Sequence, residues 1–176
     1  MIFNIFPRCK RDLPNVRAPR TIADKIMEVA AAILLVLIWV LAVIFYHKLP
    51  DIIPVHFNFF GEVDKWGNKG YLFFMAGIAT LSMIGTGVSA YFPTRMTNFP
   101  IRLTEKNILP QVKLASHYLR ILNILLGILF IIILCSMSES LFPVRQGLFT
   151  VLAGNVVLLL VLSILIYYIL ARKYFR

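Results

Sequence analysis

Four uncharged hydrophobic runs constrain this chain more than anything else in it. Val29 to Tyr46 is 18 residues without a charge, Tyr71 to Phe92 is 22, Ile121 to Met137 is 17 and Leu148 to Leu170 is 23. A helix needs about 20 apolar residues to cross a hydrocarbon core of about 30 Å. Leu, Ile, Phe and Val each favour insertion by about 0.3–0.6 kcal/mol, so every run inserts. The expected fold class is therefore all-α and integral to a membrane: a four-transmembrane-helix bundle over residues 21–176, behind a basic arm over residues 1–20. With 60% of the 176 residues hydrophobic and 15% charged, the composition excludes an ordinary soluble domain. The third run is short, and Arg120 and His117 at its start are expected to snorkel to the headgroups and lengthen it. The arm's apolar clusters are too short for a signal-peptide core, so the first helix reads as a retained anchor. Thr21 and Asp24 are spaced as a capping pair at its start.

Charge orients the bundle. If the N-terminus, the segment 93–120 and the tail after Leu170 share a side, that side holds 14 of the 18 basic residues. The other side carries Lys48, Lys65, Lys69 and Arg145 against Asp51, Glu62, Asp64 and Glu139, and is neutral. This positive-inside pattern places both termini in the cytoplasm and the segment 49–69 outside. The expected partners of the basic side are anionic lipid headgroups. Nucleic acid is excluded, since no basic cluster is interleaved with aromatics in a soluble fold.

The hydrophobic runs contain no ionisable residue, which argues against a pump or proton-coupled transporter. Small residues in the second run, Ala76, Gly77, Ala79, Ser82, Gly85, Gly87, Ser89 and Ala90, place that helix at the centre of the bundle, and Asn123 and Asn155 read as interhelical hydrogen-bond sites. Cys9 and Cys135 fall on opposite sides, so no disulfide is expected. No zinc spacing occurs, and neither metal nor cofactor is expected.

The specialised segment is Leu49–Lys69, LPDIIPVHFNFFGEVDKWGNK, too polar for lipid and too elaborate for a plain connector. Pro54 biases Ile53 toward extended backbone. Val55, Phe57 and Phe59 alternate with His56, Asn58 and Phe60, which reads as a strand. Val63–Trp66 reads as its partner across a turn at Gly61, and a three-residue turn over Phe60–Glu62 would set Asn58 opposite Asp64 and His56 on one face with Trp66. The other face, Val55, Phe57, Phe59 and Val63, is apolar enough to rest on the helix ends or the membrane interface. Gly67–Gly70 turns the chain back into the second helix. His56 with Asp64 suits a general base, a metal ligand, a pH-sensitive contact or a pair that fixes the hairpin's shape. Ser136, Ser138 and Ser140 lie toward the same membrane face, with nothing marking any of them as activated. On the other side, Thr104–Asn107 opens a helix that Pro110 interrupts near its start, leading into the third span.

The pattern L-P-x-x-I-P-x-H-F, then G-x-x-D, then K is carried by Leu49, Pro50, Ile53, Pro54, His56, Phe57, Gly61, Asp64 and Lys69. It resembles the DUF1648 family, which includes the SdpI-like immunity proteins of bacteria. The stretch 98–111, with Asn98, Pro100, Thr104, Glu105, Asn107 and Gln111, is similar to the segment those proteins carry after their second helix. The resemblance implies a bacterial inner-membrane protein that confers immunity to a secreted toxic peptide or senses an extracellular one. Longer members add helices beyond the shared part, and only two follow it here. The recognition loop would comprise Pro50, Pro54, His56, Phe57, Asn58, Gly61, Asp64, Trp66 and Lys69. Two other classes fit the residues: a membrane enzyme using His56 and Asp64, with or without a metal, and a structural subunit whose loop docks another membrane protein.

Overall fold

The computed structural model describes residues 16–58, 60–142 and 147–174. Cys9, the basic residues Arg8, Lys10 and Arg11, Phe59 and Arg145 lie outside that part. In chain order the elements are α1 (Ile22–Lys48), β1 (Ile52–Phe57), β2 (Val63–Asn68), α2 (Tyr71–Tyr91), the single turn α3 (Pro93–Met96), α4 (Ile108–Met137) and α5 (Leu148–Tyr174). A 3-10 turn, Glu139–Leu141, follows α4. Helices α1, α2, α4 and α5 are long and apolar enough to cross a membrane. The chain is a multi-pass membrane protein with a small antiparallel hairpin between its first two spans.

Local chemistry sets the helix ends. Thr21 Oγ1 accepts the Asp24 N–H at 3.2 Å, while Asp24 Oδ2 accepts the Thr21 N–H at 2.8 Å. The expected capping pair is thus a closed box that starts α1. At its other end Leu49 is extended, as the residue before Pro50 must be to avoid the ring. Pro110 does not interrupt a helix. It is the third residue of α4, where a backbone N–H would have no intrahelical acceptor and its loss costs nothing. Residues 108–120 are therefore the opening turns of a 30-residue helix that continues through the third span.

The bundle is built around α4, which packs on α1, α2 and α5. This differs from the central position that the small residues of α2 suggest. Ala76 and Ala79 are buried, but a Cβ on Gly77 or Gly85 would meet nothing within 4 Å. The close approach that requires glycine is on α4 instead. A Cβ on Gly127 would lie 3.0 Å from Leu34 of α1 and 3.0 Å from Met83 of α2. Across the α4–α5 seam, Gln111 Nε2 donates to the Ala171 carbonyl at 3.0 Å, and Tyr118 stacks on Tyr167 at 4.6 Å. Between α1 and α2, Trp39 Nε1 donates to Thr80 Oγ1 at 3.0 Å. Asn155 is not interhelical: its amide donates to Val151 O in its own helix. Asn123 Oδ1 is buried with no hydrogen-bond partner.

Candidate functional site

The hairpin forms because an extended stretch of alternating apolar residues can lay one face on the bundle and turn the other outward. Ile53 is 1% exposed and joins the core formed by Phe45 of α1, Leu49 just beyond it, Leu72 of α2 and Leu134 and Met137 of α4, with Val55 packed partly against it. The outward face carries Ile52, His56, Asp64 and Trp66. Trp66 is 60% exposed and Phe60, at the tip, 82%.

Register differs from the sequence expectation in one respect. Phe57 pairs with Val63, Pro54 with Trp66 and Ile52 with Asn68, with irregularities on either side of His56. The turn closes on Asn58, whose N–H donates to Glu62 O at 2.9 Å. It therefore closes one residue earlier than a turn over Phe60–Glu62 would. The physical reason is the Asn58 side chain. Its Oδ1 accepts the N–H groups of Phe60 and Glu62, both at 2.9 Å, and its amide donates to the Glu62 carboxylate at 2.8 Å. An asparagine that folds back on the backbone this way defines the turn's first residue. The shift brings the expected pair together: His56 Nδ1 lies 2.6 Å from Asp64 Oδ1.

Gly61 adopts φ +84°, and a Cβ there would meet Gly147 Cα and Thr150 Cβ, each at 3.3 Å. The hairpin tip thus rests on the first turn of α5. Gly61→Val is expected to cost about 1–2 kcal/mol from the left-handed backbone alone and to push the tip off α5. A lowered thermal midpoint of the purified protein, with selective loss of hydrogen-exchange protection at the tip, checks this.

Lys69 ties the other end. Its ammonium lies 3.0 Å from Asp51 Oδ1 and 4.9 Å from the Tyr46 ring centroid, and its N–H donates to Asp51 O at 2.9 Å. One residue thereby links the end of α1, the start of β1 and the start of α2. Asn68 Oδ1 accepts the Gly70 N–H at 2.7 Å and shapes the turn into α2.

At this end of the bundle Ser136 and Ser138 donate to carbonyls of their own helix, and Ser140 is exposed. Among the described residues no three His, Cys, Asp or Glu side chains converge on a point that would hold a metal. As chemistry, the hairpin offers a polar pair beside an exposed indole on a rigid mount.

A family model, Domain of unknown function (DUF1648), fits part of the chain. Residues 33–80 match DUF1648. That span begins in the middle of α1, contains the whole hairpin and ends in α2 at Thr80, the acceptor of the Trp39 bond. The DUF1648 match is thus a helix–hairpin–helix unit closed at its helical end by its own hydrogen bond, and the hairpin motif lies wholly within it. No curated protein and no solved structure matches the chain.

The stretch 98–111 lies outside the DUF1648 match, at the opposite end of the bundle. Thr104 and Asn107 bond reciprocally, Thr104 N–H to Asn107 Oδ1 at 2.7 Å and Asn107 N–H to Thr104 Oγ1 at 3.3 Å, and lead into α4. Gln111 is fully buried against α5. Asn98 and Glu105 are exposed in the connection, and Pro100 is half-buried there.

Beside it lies a charged cluster that the sequence reading missed. Arg120, expected to snorkel outward, is 6% exposed. Its Nη2 lies 2.8 Å from Glu28 Oε1 and its Nε 2.9 Å from the same oxygen. Its Nη1 donates to Ser116 O at 3.0 Å and approaches Asp24 at 3.7 Å. His117 stays exposed but also reaches the cluster, with Nδ1 3.1 Å from Asp24 Oδ1. Arg20 reaches Glu28 at 3.4 Å and the Tyr91 hydroxyl at 3.3 Å. The signal was available in spacing: Asp24 and Glu28 fall four apart on one helix, His117 and Arg120 three apart on another, so each pair shares a face.

Proposed function

We propose that the protein is a bacterial inner-membrane protein whose hairpin receives an extracellular amphipathic peptide, conferring immunity to it or sensing it. Both termini lie in the cytoplasm and the hairpin outside, the orientation favoured by 14 of the 18 basic residues on the opposite side. The observation that carries the reading is a pinned hairpin whose outward face pairs apolar with polar groups. Ile52 and Trp66 stand exposed beside the His56–Asp64 pair, while Ile53 and Lys69 fix the inner face and base. Exposed large apolar groups on a fixed mount mark a contact surface. A two-stranded hairpin also has open edges to which an extended peptide can add.

The test is survival of cells lacking the protein, grown beside their parent and complemented with wild type, Trp66→Ala or His56→Ala. His56 and Asp64 are 66% and 44% exposed in their side chains, and pairs so placed contribute about 0–1 kcal/mol. Both variants are therefore expected at normal abundance in the membrane. Deletion should sensitise the cells, and the variants should fail to rescue. Rescue by both at wild-type level would sink the proposal.

A further inference from the structure

Two cavities at the arginine-rich end of the bundle share a wall. One, about 240 Å³, occupies the cleft between α1 and α2 over α4, lined by Ala31, Leu35, Met83 and Ile84 with Asn123 on its floor. The other, about 370 Å³, is bounded by Arg17, Pro19 and Arg20. Both include Ala90, Tyr91 and Arg120. An apolar slot therefore adjoins a pocket rimmed by guanidinium groups, with Ala90, Tyr91 and Arg120 between them.

The two ends differ in what they have left to bind. Arg120 spends its donors on Glu28 and on Ser116 O. Arg17 and Arg20 lie over aromatic rings, Arg17 at 4.5 Å from the Phe92 centroid and Arg20 at 5.4 Å from that of Tyr91, the ring that Arg120 also faces at 5.6 Å. A guanidinium held over a ring keeps its in-plane N–H groups available, and these match a phosphate's oxygens. Among the described residues Arg17 has no carboxylate within ion-pair distance, and Arg20 uses only Nη1, toward Glu28 at 3.4 Å and the Tyr91 hydroxyl at 3.3 Å, leaving Nε and Nη2. The slot's wall includes Ala32 and Ile84, both exposed, so it opens through the side of the bundle, where acyl chains lie in a bilayer. One helical turn deeper than Arg120, Asn123 Oδ1 is buried without a donor, at the depth where a lipid's glycerol region follows its phosphate.

We propose that these two adjoining cavities together hold one anionic phospholipid, its phosphate between Arg17 and Arg20 and one acyl chain along the α1–α2 slot. A free phosphate would use only the first half and a neutral lipid only the second. The proposal does not depend on the hairpin's role.

The experiment is native mass spectrometry of the purified full chain in nonionic detergent, titrated separately with phosphatidylglycerol and phosphatidylcholine. One retained phosphatidylglycerol is expected, at a concentration roughly thirtyfold below that for phosphatidylcholine, given about 1 kcal/mol for each of the two arginines. Arg17→Gln with Arg20→Gln should remove that preference. Gly87→Leu, whose side chain would grow from a Cβ site 3.4 Å from Asn123, should block retention with every arginine intact. Should Gly87→Leu unfold, Ala32→Phe fills the slot from its exposed wall. Millimolar inorganic phosphate should not displace the lipid. Equal retention of the two lipids, undiminished retention in the slot-filling variant, or displacement by phosphate would each overturn the proposal.

Discussion

Arg120→Leu is expected to destabilise the protein by about 3–5 kcal/mol, the usual cost of removing one partner from a buried ion pair. The substitution leaves the Glu28 carboxylate without its 2.8 Å partner and removes the cation beside Asp24. It also strips the Ser116 carbonyl of a donor. Protonation and local rearrangement recover part of the loss, so the sharper evidence is comparative. Arg120→Lys keeps the charge but cannot direct two donors at one carboxylate oxygen, and should fall between wild type and leucine. Adding Glu28→Gln to Arg120→Leu removes the stranded charge and should restore part of the stability, whereas unrelated damage would add. Thermal unfolding of the four proteins in one detergent checks the order. An Arg120→Leu protein as stable as wild type would mean that the cluster does not hold α1 against α4.

The spans were legible in the sequence because length and apolarity are properties of a contiguous run. The hairpin was legible for a related reason, since alternation from Val55 to Phe57 is local. Its turn was misplaced by one residue because Gly61 drew the turn to itself. The Asn58 side chain, accepting from Phe60 and Glu62, sets where the strand ends. Packing within the bundle was much less legible. Helices apolar on every side carry no stripe that names their neighbours. The small residues of α2 therefore pointed to the wrong centre, and only the 3.0 Å approaches at Gly127 reveal the right one. The Asp24–His117 and Glu28–Arg120 pairs join residues 93 and 92 positions apart. Taken singly, Arg120 and His117 read as headgroup contacts and Asp24 as a helix cap.

Ile53→Ala is expected to cost about 2–5 kcal/mol, the range for truncating a fully buried aliphatic side chain, and to express it in one place. Ile53 is 1% exposed and belongs to the core cluster that also contains Leu49, Leu72 and Met137. The spans keep their backbone bonds whether or not the hairpin docks, because each helix satisfies itself in the bilayer. The loss should therefore appear as undocking of residues 52–68, not as collapse of the bundle. Hydrogen exchange distinguishes the two outcomes: protection should fall across β1 and β2 while α1 and α4 stay protected. Ile53→Val, which removes one methylene, should cost about 0.5–1.5 kcal/mol and largely preserve docking. The alanine variant leaves Ile52, His56, Asp64 and Trp66 chemically intact. If the hairpin acts as a fixed receptor, Ile53→Ala should fail to rescue sensitised cells although every outward residue is present. If it rescues fully while its strands exchange freely, recognition needs the residues but not their mount.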